Sequence, residues 1–140
     1  MIILDTNVLS ALMSRVPEKQ VVRWLDQQPR TSVWTTSVTV LEIRFGLQLI
    51  PLGKRRDALI EAFETILADK IERRIAPFDT EAAQRAADLM AFRHKKGRPG
   101  DLRDSMIAGI VLAVQATLAT RNTVHFEDLS VPVVNPWVSV

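Results

Sequence analysis

The chain has 140 residues, close to the roughly 150 of an average domain, and this length predicts one folded unit over residues 1–140. Hydrophobic residues make up 47% and charged residues 24%, a composition typical of globular proteins and too apolar for a disordered chain. The 18 Lys and Arg against 16 Asp and Glu give a formal net charge of only +2, so net charge alone predicts no nucleic acid partner.

Cysteine is absent and only two histidines are present, which excludes a disulfide scaffold, a Cys-ligated zinc site and a thiol nucleophile. A metal site in this chain would therefore use oxygen ligands, which favour Mg²⁺ or Mn²⁺. Charged residues interrupt every apolar stretch well before the ~20 residues that a membrane span requires. Asp5 follows the N-terminus too closely for a signal peptide. We expect a soluble, cytoplasmic protein with no membrane partner.

The first half of the chain alternates between strand and helix patterns. The apolar run 2–4 predicts a buried strand, and residues 5–7, which favour turns and helix caps, predict a helix directly after it. A second helix is predicted over roughly 18–27, and a β-branched, aromatic strand over 33–36. Ser37 is a candidate N-cap of the next helix, which should end near Pro51. Its apolar residues repeat with the helical period: Val38, Leu41, Phe45 and Leu49.

The second half continues the alternation. A helix is predicted over 58–67 and a short strand over 75–78, followed by an Ala-rich helix from Thr80 to about Lys96. The expected inner face of that helix consists of Ala83, Ala86, Ala87, Met90 and Ala91. A Gly/Pro loop over 97–100 precedes a helix from 102 to about 115, and strands are predicted over 117–120 and 131–134.

Strands separated by helices predict a three-layer α/β/α fold, with a mainly parallel sheet of about five strands covered by helices on both faces. Ligands of such sheets bind beyond the carboxyl ends of the strands. Asp5 and Asn122 fall at that edge, and Glu42 lies in the early turns of the helix after the second strand. We therefore expect the functional residues there.

Two of the acidic residues at this edge each allow two interpretations. Asp5 is either a metal ligand at a strand end or an N-cap that accepts a hydrogen bond from the Asn7 or Val8 amide. Glu42 lies close to the apolar stripe of its helix, where a surface glutamate is less expected. It is either a site residue or the partner of Arg44 or another base.

Asp101 and Asp104 have the spacing of an N-cap and an N3 residue at the start of a predicted helix. Capping alone would explain both acids. The apolar run 106–110 predicts that this helix is buried, however, which places Asp104 near the edge of the sheet. Both interpretations stay open.

Convergence of Asp5, Glu42 and Asp104 would require a compensating cation. Carboxylates ~4 Å apart repel by about 4 kcal/mol per pair at an effective dielectric near 20. A divalent cation would turn this repulsion into attraction, polarise a phosphodiester and activate water for its hydrolysis. If the three acids converge, they predict nuclease chemistry that needs neither His nor Cys.

A basic segment lies beside Asp104. Residues 92–103 hold five basic side chains against one acid, and we take them as candidate substrate-binding residues: Arg93, Lys95, Lys96, Arg98 and Arg103. Such a groove would attract a phosphate backbone. The alternative is a solvated helix end, because basic residues suit the C-terminal end of a helix.

Four separated segments resemble the PIN-domain nucleases. They are Ile3–Leu9, Ser37–Gly46, the run Gly97–Pro99 followed by Asp104 and Ile107-Ala108, and Thr120–Phe126. The closing Val134–Trp137 is similar to the VapC/FitB-type toxins within that family. Each segment alone is weak evidence for the family. The set in this order is specific to it and spans essentially the whole chain.

The resemblance implies a single PIN domain over 1–140 that hydrolyses RNA phosphodiester bonds as a Mg²⁺- or Mn²⁺-dependent endoribonuclease. The acids that hold metal in the family correspond to Asp5, Glu42 and Asp104. Asn122 stands where many members have a fourth acid, and His125 where related toxins often have Asp. The resemblance therefore leaves open one metal or two.

Further roles follow from the same resemblance. Asp101 is a candidate additional metal ligand, as is Asn122. Thr6 and Asn7 would orient Asp5 or bind the nucleophilic water, and Thr120 would hydrogen-bond to the site.

The partners implied are those of a type II toxin. They are a small antitoxin that blocks the acidic pocket and usually binds operator DNA, a second copy of the chain, and a larger toxin–antitoxin hetero-oligomer. The small net charge agrees with DNA contact made mainly by the antitoxin. An alternative function is a weakly catalytic or non-catalytic PIN-fold binding module that acts with a DNA-binding antitoxin in transcriptional regulation.

Overall fold

A computed structural model describes residues 1–138, which form a parallel five-stranded sheet with helices on both faces. The strands are β1 (Ile2–Leu4), β2 (Val33–Thr36), β3 (Ile75–Ala76), β4 (Thr117–Ala119) and β5 (Val133–Val134), in the spatial order β3-β2-β1-β4-β5. The helices are α1 (Thr6–Met13), α2 (Lys19–Asp26), α3 (Ser37–Leu49), α4 (Lys54–Thr65), α5 (Thr80–Lys95) and α6 (Leu102–Val114). The predicted three-layer α/β/α fold is confirmed.

Strand β1 lies at the centre of the sheet and of the core. Ile2 pairs with Val33 of β2 on one side and with Thr117 of β4 on the other. Successive side chains of a strand point to opposite faces, so the two fully buried residues of β1 enter different apolar clusters. Leu4 packs with residues of α1, α2 and α4, and Ile3 packs with residues of α5 and α6. The run of apolar residues before Asp5 thus anchors both layers.

Helix α3 follows β2 without a loop and contributes to both clusters. Val38 joins the α5–α6 side, and Ile43 and Leu47 join the other. The helical apolar repeat seen in the sequence is only partly buried, however, because Leu41, Phe45 and Leu49 are exposed. This helix carries more apolar residues than the core of one chain covers.

The predicted inner face of the Ala-rich helix α5 is wrong by about one residue. Its buried residues are Ala82, Ala86, Leu89 and Arg93, whereas Ala87, Met90 and Ala91 are exposed. Alanines occupy both candidate stripes, so periodicity alone could not choose between them. The choice follows from close packing on α6, where Gly109 lies against the Ala82 carbonyl and the Ala86 side chain.

Several helix and strand boundaries differ from the predicted ones. Thr36, not Ser37, caps α3, because its hydroxyl accepts a hydrogen bond from the Thr39 amide at 3.0 Å. Helix α4 begins at Lys54 and runs into a π-helical turn over Ile66–Lys70. The short strands β3 and β5 each have two residues rather than four. No helix within residues 1–138 is both long and apolar enough to cross a bilayer.

Two glycines in helices give opposite stability predictions. A Cβ at Gly109 would lie 2.4 Å from the Ala82 carbonyl oxygen, whereas a Cβ at Gly46 in α3 has no neighbour within 4 Å. We expect Gly109→Ala to lower the free energy of unfolding by about 1–3 kcal/mol through overpacking. We expect Gly46→Ala to raise it by about 0.5–1 kcal/mol, since alanine favours helix over glycine. Urea unfolding measures both, and a stabilised Gly109→Ala would contradict the packing described.

Candidate functional site

The carboxyl ends of β1, β2 and β4 meet at one edge of the sheet. Asp5 directly follows β1, Thr36 ends β2, and Thr120 directly follows β4. The Asp5 amide donates to the Ala119 carbonyl at 2.9 Å, which continues the pairing of β1 with β4 beyond the strands. Polar side chains from three strands are therefore held at the edge where ligands of parallel sheets bind.

Asp5 is buried, with 4% of its surface exposed. Three groups donate hydrogen bonds to its carboxylate. Its carboxylate accepts from the Thr6 amide at 2.8 Å, the Asn7 side chain at 3.3 Å and the Thr120 hydroxyl at 2.7 Å. It is thus the N-cap of α1, as one interpretation predicted, but through the Thr6 amide rather than that of Asn7 or Val8. The sequence expectation placed Thr6, Asn7 and Thr120 around Asp5, and the structure brings them together there.

Burial is the main reason that the pKa of Asp5 lies above its ordinary value. Hydrogen bonds from Thr120 and Thr6 act in the opposite direction, and the negative charges of Asp104 and Glu42 raise the pKa further. The three predicted acids are therefore close enough to interact electrostatically, although β1, α3 and α6 supply them from distant parts of the chain.

Glu42 is held by a row of threonine hydroxyls. Thr6 donates to Glu42 Oε1 at 2.8 Å, and its hydroxyl oxygen lies 3.1 Å from that of Thr39. The Thr39 hydroxyl in turn lies 3.3 Å from that of Thr36, and both residues are fully buried. Thr36 and Thr39 were not predicted as site residues. The signal that could have revealed them is a run of hydroxyl residues at a strand-to-helix junction.

The basic partners of Glu42 and Asp104 come from elements distant in sequence. Arg103 Nη1 lies 3.7 Å from Glu42 Oε2, and His125 Nδ1 lies 3.2 Å from Asp104 Oδ2. Arg44, the base suggested as a partner of Glu42, instead faces Glu64 at 3.5 Å. The acids of the site are thus partly offset by cationic or polar groups at its rim.

The donors at this edge are chemically suited to a hard divalent cation, because they are carboxylate, hydroxyl and amide oxygens. Asp5, Glu42 and Asp104 interact through their charges. Within residues 1–138, however, no three His, Cys, Asp or Glu side chains are arranged closely enough to enclose a metal ion. The metal-ligand assignments therefore stay predictions.

Asp101 and Asn122 lie at the exposed part of this edge. Asp101 caps α6, accepting from the Arg103 amide at 2.9 Å and the Asp104 amide at 3.3 Å, so the capping interpretation holds for it. The Asn122 amide donates to the Thr120 hydroxyl at 3.0 Å, and the residue is exposed. A role of either side chain as a metal ligand stays a prediction.

The predicted substrate-binding residues do not share one environment. A cavity of about 390 Å³ opens beside Asp104 and is lined in part by Arg98, Asp101 and His125. Lys95 and Lys96 are exposed, and Lys96 lies over the Phe92 ring. Arg103 faces Glu42. Only part of the basic segment therefore faces the acids.

Arg93 forms a buried ion pair and also lines the cavity beside Asp104, and its predicted contact with substrate stays a prediction. Its guanidinium is buried and donates to both carboxylate oxygens of Asp128, at 2.8 and 2.9 Å, and to the His125 carbonyl at 2.8 Å. This hydrogen bonding is the main reason that the pKa of Asp128 is lowered and that of Arg93 raised. The bond from Arg93 to the His125 carbonyl connects the end of α5 to the turn Thr123–Phe126. The sequence pattern showed the positive charge but not the side of the helix that faces inward.

The raised pKa of Asp5 predicts how stability depends on pH. The folded chain holds this proton more firmly than the unfolded chain, so the free energy of unfolding falls as pH rises from the ordinary value of 3.8 through the raised value. We expect Asp5→Asn to raise Tm at pH 7 in EDTA, and to give little gain below that ordinary value. Thermal denaturation at both pH values tests this, with Asp88→Asn on the exposed surface of α5 as the control. A lower Tm for Asp5→Asn at pH 7 would show that its hydrogen bonds outweigh its burial.

Known proteins match the chain over nearly its whole length. VapC ribonuclease Y4jK of Sinorhizobium fredii is 37% identical over 137 residues, covering 98% of each chain. Toxin FitB of Neisseria gonorrhoeae is 35% identical, covering 98% of this chain and 99% of its own. The solved structure of FitAB bound to the IR36 DNA fragment aligns with a TM-score of 0.89 at 34% identity, covering 100% of this chain and 98% of that chain.

The family profile described as PIN domain matches residues 2–131, which include every predicted acid of the site. The resemblance seen in the sequence is thereby confirmed, and this chain belongs to the PIN-domain family.

Proposed function

We propose that this chain is the toxin of a type II toxin–antitoxin pair, and that it acts as a Mg²⁺- or Mn²⁺-dependent endoribonuclease on RNA phosphodiester bonds. The proposal is carried by the arrangement at the carboxyl edge of the sheet, where Thr6 hydrogen-bonds to both Asp5 and Glu42 and where the negative charges of Glu42 and Asp104 help to raise the pKa of Asp5. The relatives named as a VapC ribonuclease and as toxin FitB support it, since both match almost end to end. Residues 1–140 act in this proposal as one PIN domain.

The residues have separate tasks in this reaction. Asp5, Glu42 and Asp104 would hold the cation, with Asp101 and Asn122 as additional oxygen donors. The bound cation supplies Lewis acidity, which polarises the phosphodiester and acidifies water. Thr120, Thr6 and Asn7 fix the Asp5 carboxylate through hydrogen bonds of 2.7–3.3 Å. Such supporting hydrogen bonds keep ligand oxygens in position before the cation arrives.

The partners follow from the same family membership. We propose a small cognate antitoxin that covers the acidic site and supplies most DNA contacts, which fits the similarity to FitAB bound to DNA. We also propose a homodimer within a larger hetero-oligomer. The exposed apolar residues Leu41, Phe45 and Leu49 of α3 offer a surface for such contacts, because one chain leaves them in water. A cytoplasmic location belongs to this proposal as well.

A second candidate function is a weakly catalytic or non-catalytic binding module in transcriptional regulation. It is favoured by the contacts of Arg103 with Glu42 and of His125 with Asp104, which partly offset the acids, and by Asn122 in place of a fourth acid. In that case the acids would recruit the antitoxin and would not hold a cation.

Replacing the central acids separates the two candidates. We expect Asp5→Asn and Asp104→Asn to lower RNA cleavage by about 100-fold or more, since even residues that support metal ligands contribute 10- to 100-fold. Growth arrest on induction should disappear, and EDTA should stop cleavage by the wild type. Mapping of cleaved RNA ends gives the readout, with Asp88→Asn as the control.

Two results would overturn the nuclease proposal. Cleavage that persists in EDTA would exclude metal dependence. Undiminished toxicity of Asp104→Asn, with antitoxin still co-purifying, would favour the binding module.

The contact between Arg103 and Glu42 gives a prediction about the cation itself. A cation and the guanidinium would compete for the same carboxylate, and an exposed ion pair contributes up to about 1 kcal/mol. We expect Arg103→Ala to strengthen Mn²⁺ binding about 2- to 5-fold in calorimetry and to weaken RNA binding. Arg85→Ala, an exposed change on α5, is the matched control. Weaker Mn²⁺ binding by Arg103→Ala would show that Arg103 supports the site instead of competing in it.

A further inference from the structure

Arg121 is fixed at the rim of the acidic site by two contacts at opposite ends of the residue. Its backbone amide donates to Asn7 Oδ1 at 3.1 Å, and the Asn7 side chain also donates to the Asp5 carboxylate at 3.3 Å. Its guanidinium carbon lies 5.0 Å from the centre of the Trp137 ring. The residue is exposed to solvent. The backbone of Arg121 and the guanidinium at the end of its side chain are therefore both in contact with neighbouring residues.

The Trp137 ring is itself held in place. It packs against the apolar cluster that contains Leu4, which precedes Asp5, and Val8, which lies in α1. Its backbone amide donates to Asn135 Oδ1 at 2.9 Å. A half-buried ring of this kind is a fixed platform, and a guanidinium stacked on it loses less conformational freedom when it binds a ligand.

Among the residues that the structure describes, the charge of Arg121 is not offset by an ion pair, unlike the charges of Arg93 and Arg103. Arg93 is paired with Asp128 and Arg103 with Glu42, whereas no carboxylate of residues 1–138 forms an ion pair with Arg121. A guanidinium that lies over an aromatic ring can still donate through its N–H groups. Those donors match two oxygens of a phosphate.

We propose that Arg121, held by Trp137, binds a phosphate of the RNA substrate next to the carboxylate site. A polyanion that approaches Asp5, Glu42 and Asp104 is repelled, and a fixed cation at the same rim offsets that repulsion. Trp137 is a positioning residue, because it acts through Arg121. This inference rests on the proposed nuclease function and adds a substrate contact outside the basic segment 92–103.

The test measures binding of a fluorescein-labelled, random-sequence single-stranded RNA 20-mer by anisotropy, in EDTA to prevent cleavage. We expect Arg121→Gln to weaken binding about 10-fold, as for loss of one charge-assisted contact. The slope of log affinity against log salt should fall by about 0.7, the value for one phosphate of a single strand. Arg121→Lys, which keeps the charge without the planar fork, should lie between. Arg15→Gln, in the exposed segment that follows α1, is the matched control and should bind as the wild type does.

A double-mutant cycle tests the role of Trp137. Trp137→Leu should weaken RNA binding about 3-fold when Arg121 is present and have no further effect in Arg121→Gln. Trp137→Phe keeps an aromatic platform and should restore most of the affinity. Equal losses from Trp137→Leu in both backgrounds would show that the ring only supports the fold, and thermal denaturation of each variant identifies a folding defect.

The remaining outcomes distinguish failure of this inference from failure of the proposed nuclease function. Wild-type protein that cleaves cellular RNA in Mn²⁺, together with Arg121→Gln that binds the 20-mer as tightly and with the same salt slope, overturns the inference and leaves the nuclease function standing. Wild-type protein that neither binds the 20-mer nor cleaves RNA overturns both.

Discussion

The burial of one carboxylate at the end of the central strand is the constraint on which the site depends. Asp5 follows β1, which is flanked by two strands and covered on both faces, so its side chain is withdrawn from water. A buried charge is tolerated only where donors compensate for lost hydration. The Thr6 amide, the Asn7 side chain and the Thr120 hydroxyl supply those donors. Because these residues directly follow β1 and β4, the fold and the electrostatics of the site cannot be separated.

Each of the other acids is fixed by a different layer of the molecule. Glu42 stands on α3 and is positioned through Thr6 and the buried Thr39. Asp104 lies in the first turn of α6, whose start is fixed by the Asp101 cap and whose position is fixed by close packing on α5. Acids held by independent elements cannot relieve their repulsion by a small local movement. The fold therefore maintains an acidic edge that destabilises the chain alone, as is common at functional sites.

Structure could be predicted from the sequence where neighbouring residues determine the local conformation. The strand at 33–36 and the cap role of Asp101 depend on neighbouring residues, and the structure agrees with both. The acids could be proposed as site residues because the ends of parallel strands meet at one edge of a sheet. The predictions that were wrong concern contacts that tertiary packing determines. Arg44 and Arg103 are equally plausible partners of Glu42 by residue type, and only the approach of α6 to α3 selects Arg103.

The pairing of Arg93 with Asp128 restricts how this fold can change during evolution. The guanidinium is buried at the end of α5, so loss of Asp128 would leave its charge without the carboxylate that pairs with it, which is unfavourable. Loss of Arg93 would release the turn that holds His125 beside Asp104. A substitution at only one of the two positions is therefore expected to give a less stable protein. Sequence drift at the two positions is expected to proceed in paired steps, which keeps one wall of the acidic edge in place while the surface around it diverges.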